Sequence, residues 1–428
     1  FGYLGISSFP MRPTLHFLSA VLALPLTTLA DTHHVPADHP TIQSAIEAAS
    51  PYDLVLVSPG TYPESLKLKP NLTLKSLGDD TPASDTHGLA RAEKTIITGA
   101  PAKAPGVTMA SGSTLDGFTV THIGHYDDAR WQSAWDTSGE NQSHDHIGHF
   151  AVPAISVDNV DATVTHCRVH HNGHTGIAVR GPENPSTPAP QPRISHNLCW
   201  RNMGGGIGLM RHAAAAVSHN QCFENYYAGI GHNNASPLVS HNICHHNVRA
   251  GIGISEGSSP VVRHNHCYEN RRAGIGTRSG TATQPVIEHN RCHHNTMAGI
   301  GTEDHASPII RNNHCEHNEL AAIGARSGAT PIIVGNTAIA KKLVALGLPD
   351  GSRAIVVDNT FGRPSGGMPP IVAVLENSTA VLVDNHLTGG GIASVLVKGT
   401  AVLHNNTFTD SKTPVRSSPE ATVIGSTP

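Results

Sequence analysis

The sequence predicts an all-β solenoid of parallel strands, and three observations carry that prediction. Six cysteines, Cys199, Cys222, Cys244, Cys267, Cys292 and Cys315, fall in one slot of a repeated phrase at intervals of 22 to 25 residues. The phrase, S-P-x-V-x-H-N-x-C-x-x-N-x-x-A-G-I-G, recurs in close variants over 259–276 and 307–324. A period this short, with no helical segment inside it, accommodates one coil per repeat. The third observation is asparagine. Turn slots recur at Asn197, Asn220, Asn242, Asn265, Asn290, Asn313, Asn336, Asn359, Asn385 and Asn405, with Cys167 in the equivalent slot before them. A second column runs through Asn172, Asn202, Asn225, Asn247, Asn270, Asn295 and Asn318. Stacked Asn side chains can bond the coils above and below, and Asn tolerates tight-turn backbone angles. Every repeat position thus becomes a column with copies ~4.8 Å apart, and function is to be sought in columns.

From the start of the chain, residues 11–30 read as an export signal. Arg12 is followed by an apolar run over 17–26 and by Thr28-Leu29-Ala30 as a small-residue cleavage site. Residues 1–10 precede Met11 and read as an over-extended start. The mature protein is expected to be periplasmic or extracellular, with no membrane span. Residues 31–75 form an N-terminal cap and first coils. There Thr41 caps a short amphipathic helix (Ile42, Ala45, Ile46, Ala49) that plugs the open end of the solenoid. Segments 55–57 and 66–72 alternate like strands. Coils continue through 76–420, interrupted by insertions at 78–93, 124–149 and 182–192, and 421–428 is a tail. Long insertions on a solenoid commonly share one face and carry function.

The opening phrase V-P-A-D-H-P-T-I-Q-S-A-I-E-A-A and the repeat I-x-x-N-x-(apolar)-x-x-N-x-x-G-I resemble secreted right-handed parallel β-helix proteins of the pectin-lyase-like superfamily. The repeat style is most similar to NosD-like periplasmic proteins associated with copper. The resemblance covers nearly all of 34–420 and implies a right-handed parallel β-helix, a single-stranded solenoid. It leaves activity open, because the superfamily holds lyases, hydrolases, epimerases, adhesins and non-enzymatic proteins. Cysteine in a normally aliphatic slot, and histidine before the first Asn, depart from the usual repeat.

Composition narrows the partners. Net charge is −4 and no basic face is visible, which argues against nucleic acid. Histidine is anomalous at 31 copies, more than the 28 lysines and arginines together, and this excess points to metal ions as partners. Copper is the expected ion, with zinc and nickel as alternatives. Cleavage after Ala30 would place His33 third in the chain, where an amine, two backbone nitrogens and an imidazole close a square-planar set suited to Cu(II) or Ni(II). The column His166, His196, His219, His241, His264 and His289 precedes an inward Asn and should point outward. Its rings, ~4.8 Å apart, should hold one another's pKa values down, in the neutral form that binds metal. The bland alternative is a stacked, solvated turn residue. The densest cluster brackets the insertion 124–149, with His122 and His125 on one flank and His144, His146 and His149 on the other. Two such pairs can complete three or four nitrogen ligands.

The cysteines share the side of the inward Ile slot and so face the core, as small apolar filler or as a thiolate file for a soft ion. Bridges are expected to be few. The glycines flanking that Ile (Gly229/Gly231, Gly251/Gly253, Gly274/Gly276, Gly299/Gly301) should present a bare strip open to a polysaccharide, a loop or a protein. Only Arg180, Arg278, Arg326 and Glu303 stand beside it, short of the set that sugar acid–base chemistry needs. Three functions remain: an exported metal-binding protein without a catalytic cycle, a lyase- or epimerase-like carbohydrate-active protein, and a structural or adhesive solenoid.

Overall fold

The computed structural model describes residues 2, 30–80, 88–99, 103–140, 142, 151–364 and 367–425. Two units separate, Phe1–Ala30 and Asp31–Pro428. The segment 11–30, expected to be an export signal, falls almost wholly outside the described residues. The second unit is a parallel β-solenoid. Among the described residues its strands form one sheet of sixteen and two of fourteen, each sheet collecting every third strand of the chain once the first strand, Thr32–Val35, has paired with the second, Leu54–Val57. Sheet 1 runs from Thr32–Val35 to Thr422–Gly425, sheet 2 from Gly60–Tyr62 to Thr407–Thr409, and sheet 3 from Leu66–Lys67 to Val415–Ser417. All pairings are parallel and in register, so the columns of the sequence are columns in space. One example is the run Cys199, Cys222, Cys244, Cys267, Cys292 and Cys315 in sheet 2.

Each of the three strands of a coil turns side chains inward, as with Val239, Cys244 and Ile252, all fully buried. All seven cysteines are buried free thiols. Burial pushes the Cys167 thiol up to about 12 and the Cys292 thiol well above its usual value. Those two sulfurs pack as neutral filler, whereas at Cys244 burial is outweighed by hydrogen bonds from Cys222 and Cys267, which lower its thiol to about 6.

Both Asn ladders form. Asn265 Nδ2 donates to Asn290 Oδ1 at 3.0 Å and to the Val239 carbonyl at 3.0 Å, while its Oδ1 accepts from the amide of Asn242 at 2.9 Å. Inside the solenoid such side chains are 0–2% exposed and stay fully bonded. The first ladder ends at Asn406, which accepts from Asn385. Asn405 instead takes the left-handed turn position one residue earlier, at φ 50°, which corrects the slot assigned from the repeat.

Helix α1 (Ile42–Ala48) caps the N-terminal end. Thr41 and Ser44 form a reciprocal capping box, and Ile42, Ala45 and Ile46 are buried. The Glu64 carboxylate accepts the amides of Ile42 and Gln43 at 3.0 and 2.9 Å, where the helix leaves amides unpaired. The 66–72 segment is not one strand. Leu66–Lys67 and Thr73–Ser76 are separate strands, because Pro70 lacks a donor and Asn71 turns the chain at φ 60°. The first insertion carries helix α2 (Ala90–Lys94) and the second carries α3 (Asp128–Asp136). Among the described residues no helix is long and apolar enough to cross a membrane.

Candidate functional site

The histidine file assembles as its spacing requires. From His166 to His289 consecutive rings stack with centroids 5.0–5.2 Å apart and planes within 20° of parallel. Partial burial first, and the imidazoles above and below second, hold His196 and His241 below the usual imidazole value. Parallel stacking, however, sends the in-plane lone pairs of neighbours side by side. Like nitrogens then sit about as far apart as the 5.0 Å ring centres, beyond the ~4.2 Å that two opposed metal–nitrogen bonds of ~2.1 Å span. The file forms and does not converge.

The other expected ligands are scattered. His33 lies in a strand paired with Leu54–Val57. Its ring nitrogens lie 3.2 Å from Asp53 Oδ2 and 3.1 Å from His39 Nε2, and the Asp31 amide is bonded to Asp53 at 2.9 Å. A square-planar set there forms only if this strand leaves the sheet. His122 is an exposed turn residue at φ 56°, 6.3 Å from the ring of His171, and His125 is exposed. His144, His146 and His149 lie outside the described residues. Among the described residues no group of three or more His, Cys, Asp or Glu is placed to hold a metal ion.

What the coils do build is a groove of about 570 Å³ on the outer face of sheet 3. The two glycine columns there are not equivalent. A Cβ on Gly229, Gly251 or Gly274 would lie 2.7–2.8 Å from the carbonyl oxygen of the next coil and 2.8–2.9 Å from a ladder Asn Nδ2. This first column is buried and serves coil packing. A Cβ on Gly231 would meet nothing within 4 Å, and on Gly253, Gly276, Gly301 or Gly324 only ordinary contacts at 3.5–3.8 Å. Coil packing does not demand that these positions be bare. They form the groove floor, so the outward strip is one column wide, not two.

Two walls rise beside the floor. Arg278, Glu303 and Arg326 stand on one, with Arg326 Nε 2.8 Å from Glu303 Oε2. Tyr227, Arg249 and Arg272 stand on the other, in a column the sequence reading passed over. Its signal was the residue two before the first glycine in Y-A-G, R-A-G and R-A-G. Burial, then the charge of Arg272, lowers Arg249 to about 10; burial, with Arg278 and Arg326 acting against Glu303, lowers Arg272 as well.

The second insertion is tied to this wall. Trp131 of α3 is buried with Met203, Tyr226 and Val248, and the guanidiniums of Arg201 and Arg271 lie 3.6 and 4.2 Å from the rings of Trp131 and Trp135. Past the helix, Arg249 Nε donates to Gln142 Oε1 at 2.6 Å. Arg272 donates to the carbonyls of Ser138 and Gly139 at 3.2 and 2.7 Å. Through these bonds the arginine wall holds the residues that follow α3.

A family model described as a right handed beta helix region matches residues 153–290 and 276–413. No curated protein matches the chain. Among solved structures, the A-module of mannuronan C-5 epimerase AlgE4 from Azotobacter vinelandii is similar at a TM-score of 0.51 and 13% identity, over 90% of this chain and 95% of that one. The periplasmic alginate epimerase AlgG aligns at 0.42 and 12%, over 90% and 82%. A GH87 alpha-1,3-glucanase from Streptomyces thermodiastaticus aligns at 0.43 and 13%, over 90% and 64%. At these identities the likeness is one of fold.

Proposed function

Because the chain belongs to the right-handed β-helix family, whose fold supplies faces and not one chemistry, we propose that it works through the glycine-floored groove as a binding site for an extended anionic polysaccharide. The observation that carries the reading is the floor. Its outward glycines are bare although a side chain would fit, which lets a polymer lie against the backbone of successive coils. The guanidiniums of Arg249, buried, and Arg272, half-buried, line it together with Arg278 and favour a ligand of negative charge. An epimerase of mannuronan shares the scaffold over nearly the whole of both chains, so the reading asks nothing unusual of the fold.

Among the described residues lining the groove, Glu303 is the one carboxylate and it is paired with Arg326, whereas hydrolysis by placed carboxylates uses two. The test is calorimetric titration with a polyuronate and with a neutral glucan of equal length. The polyuronate should bind, more weakly as salt rises, and Gly253→Leu with Gly276→Leu should weaken it by about tenfold or more while the unfolding midpoint holds. Equal binding of the neutral chain, or unchanged binding by the filled-floor variant, overturns the reading.

A further inference from the structure

The groove changes character along its axis. In its upstream coils Tyr227, Arg249 and Arg272 face Asn233, Ser255 and Arg278 across the floor. Downstream the same two columns become Met297, Leu320 and Leu343 on one side and, beyond the Glu303–Arg326 pair, Pro349 and Leu375 on the other. The floor continues through Gly301, Gly324 and Gly347 to Ala373. Leu320 and Leu343 are 44% and 46% exposed, and they line one continuous trough with the floor, unlike scattered surface leucines.

A glycan of uniform polarity would gain little there. Sugar hydroxyls leaving water need partners. Among the described residues lining the downstream half, the charged side chains Glu303 and Arg326 already bond each other. A hydrocarbon chain gains from the same surface in proportion to the area it covers. The basic half, in turn, would be idle with a plain hydrocarbon. Resting on the reading of the groove as an anionic-glycan site, we propose that its ligand is an acylated anionic glycan. The sugar chain lies over the arginine-walled coils and its acyl chain along the Met297–Leu320–Leu343 trough.

The test uses the full chain and three probes: a uronate oligomer, the same oligomer carrying one decanoyl chain, and decanoate alone, each titrated by calorimetry. The acylated oligomer should bind at least about tenfold tighter than the plain one. Leu320→Ser with Leu343→Ser should erase that gain while leaving the plain oligomer's affinity unchanged. Plain and acylated oligomers binding equally overturns the inference and leaves the glycan reading standing. An acyl gain that survives Leu320→Ser/Leu343→Ser also overturns the inference. Decanoate binding as tightly as the acylated oligomer, with the plain oligomer not binding, overturns the glycan reading itself.

Discussion

His166, His196, His219, His241, His264 and His289 share their slot with Asn312, Gly335, Asp358, Asp384 and Asn405, all at φ between 50 and 65°. What these residue types have in common is tolerance of the left-handed conformation, in which Asn, Asp and His are enriched and Gly costs nothing. Backbone geometry therefore accounts for the column without an ion. His241→Asn should change stability by less than ~0.5 kcal/mol and leave the metal content of the purified protein unchanged. His241→Val, β-branched at positive φ, should cost about 1–2 kcal/mol, read from denaturant midpoints. Loss of bound metal in the Asn variant would return the column to ligand duty. The periodicity alone placed these residues correctly, but their backbone angle is invisible in a single repeat. It shows only when the later coils, where Gly and Asp replace His, are set beside the earlier ones.

The two glycine columns separate at the scale of the element. Gly251 admits the second Asn ladder, since a Cβ there would sit 2.8 Å from the Gly274 carbonyl and 2.9 Å from Asn270 Nδ2. Where that ladder ends, after Asn318, the slot relaxes to Ala322 and Ala345. Gly251→Ala is expected to cost about 1–3 kcal/mol by overpacking. Gly253→Ala should be neutral or stabilise by up to ~1 kcal/mol through the unfolded chain, with polyuronate affinity reduced. Thermal melts paired with titrations distinguish the two, and equal destabilisation would mean the floor is packing after all. Strand alternation was legible in the phrase A-G-I-G, and so was the inward Ile. Which of its two glycines touched the next coil was not, because that depends on the Asn residue one coil later. The arginine wall was likewise readable by counting outward positions. It was missed because Tyr227, Arg249, Arg272 and Met297 share a place and not a single residue type.

Across the whole molecule, imidazoles that the solenoid keeps neutral make its stability depend on pH. His232 takes an inward slot between Leu209 and Ile254 in sheet 3, bonds the Gly253 carbonyl at 2.8 Å, and leaves Nε2 buried without a partner. Burial lowers it to about 4, and burial with the adjacent His171 lowers His170 to about 3. The unfolded chain binds these protons near pH 6.5, the folded one only below those values. Stability is therefore fully present above pH 6.5 and falls as pH drops toward 4, by roughly 3 kcal/mol for the fully buried His232 alone. Because each coil contacts only its neighbours, the loss is confined at first to the coils around residues 168–180 and 230–255, which hold the upstream end of the groove. Hydrogen exchange at pH 7 and pH 5 should show protection falling first in those coils. His232→Leu, matching the Leu and Ile above and below it, should remove that fall around 230–255 without touching the one around 168–180. An unchanged pH response in the variant would mean that the acid sensitivity arises elsewhere in the solenoid.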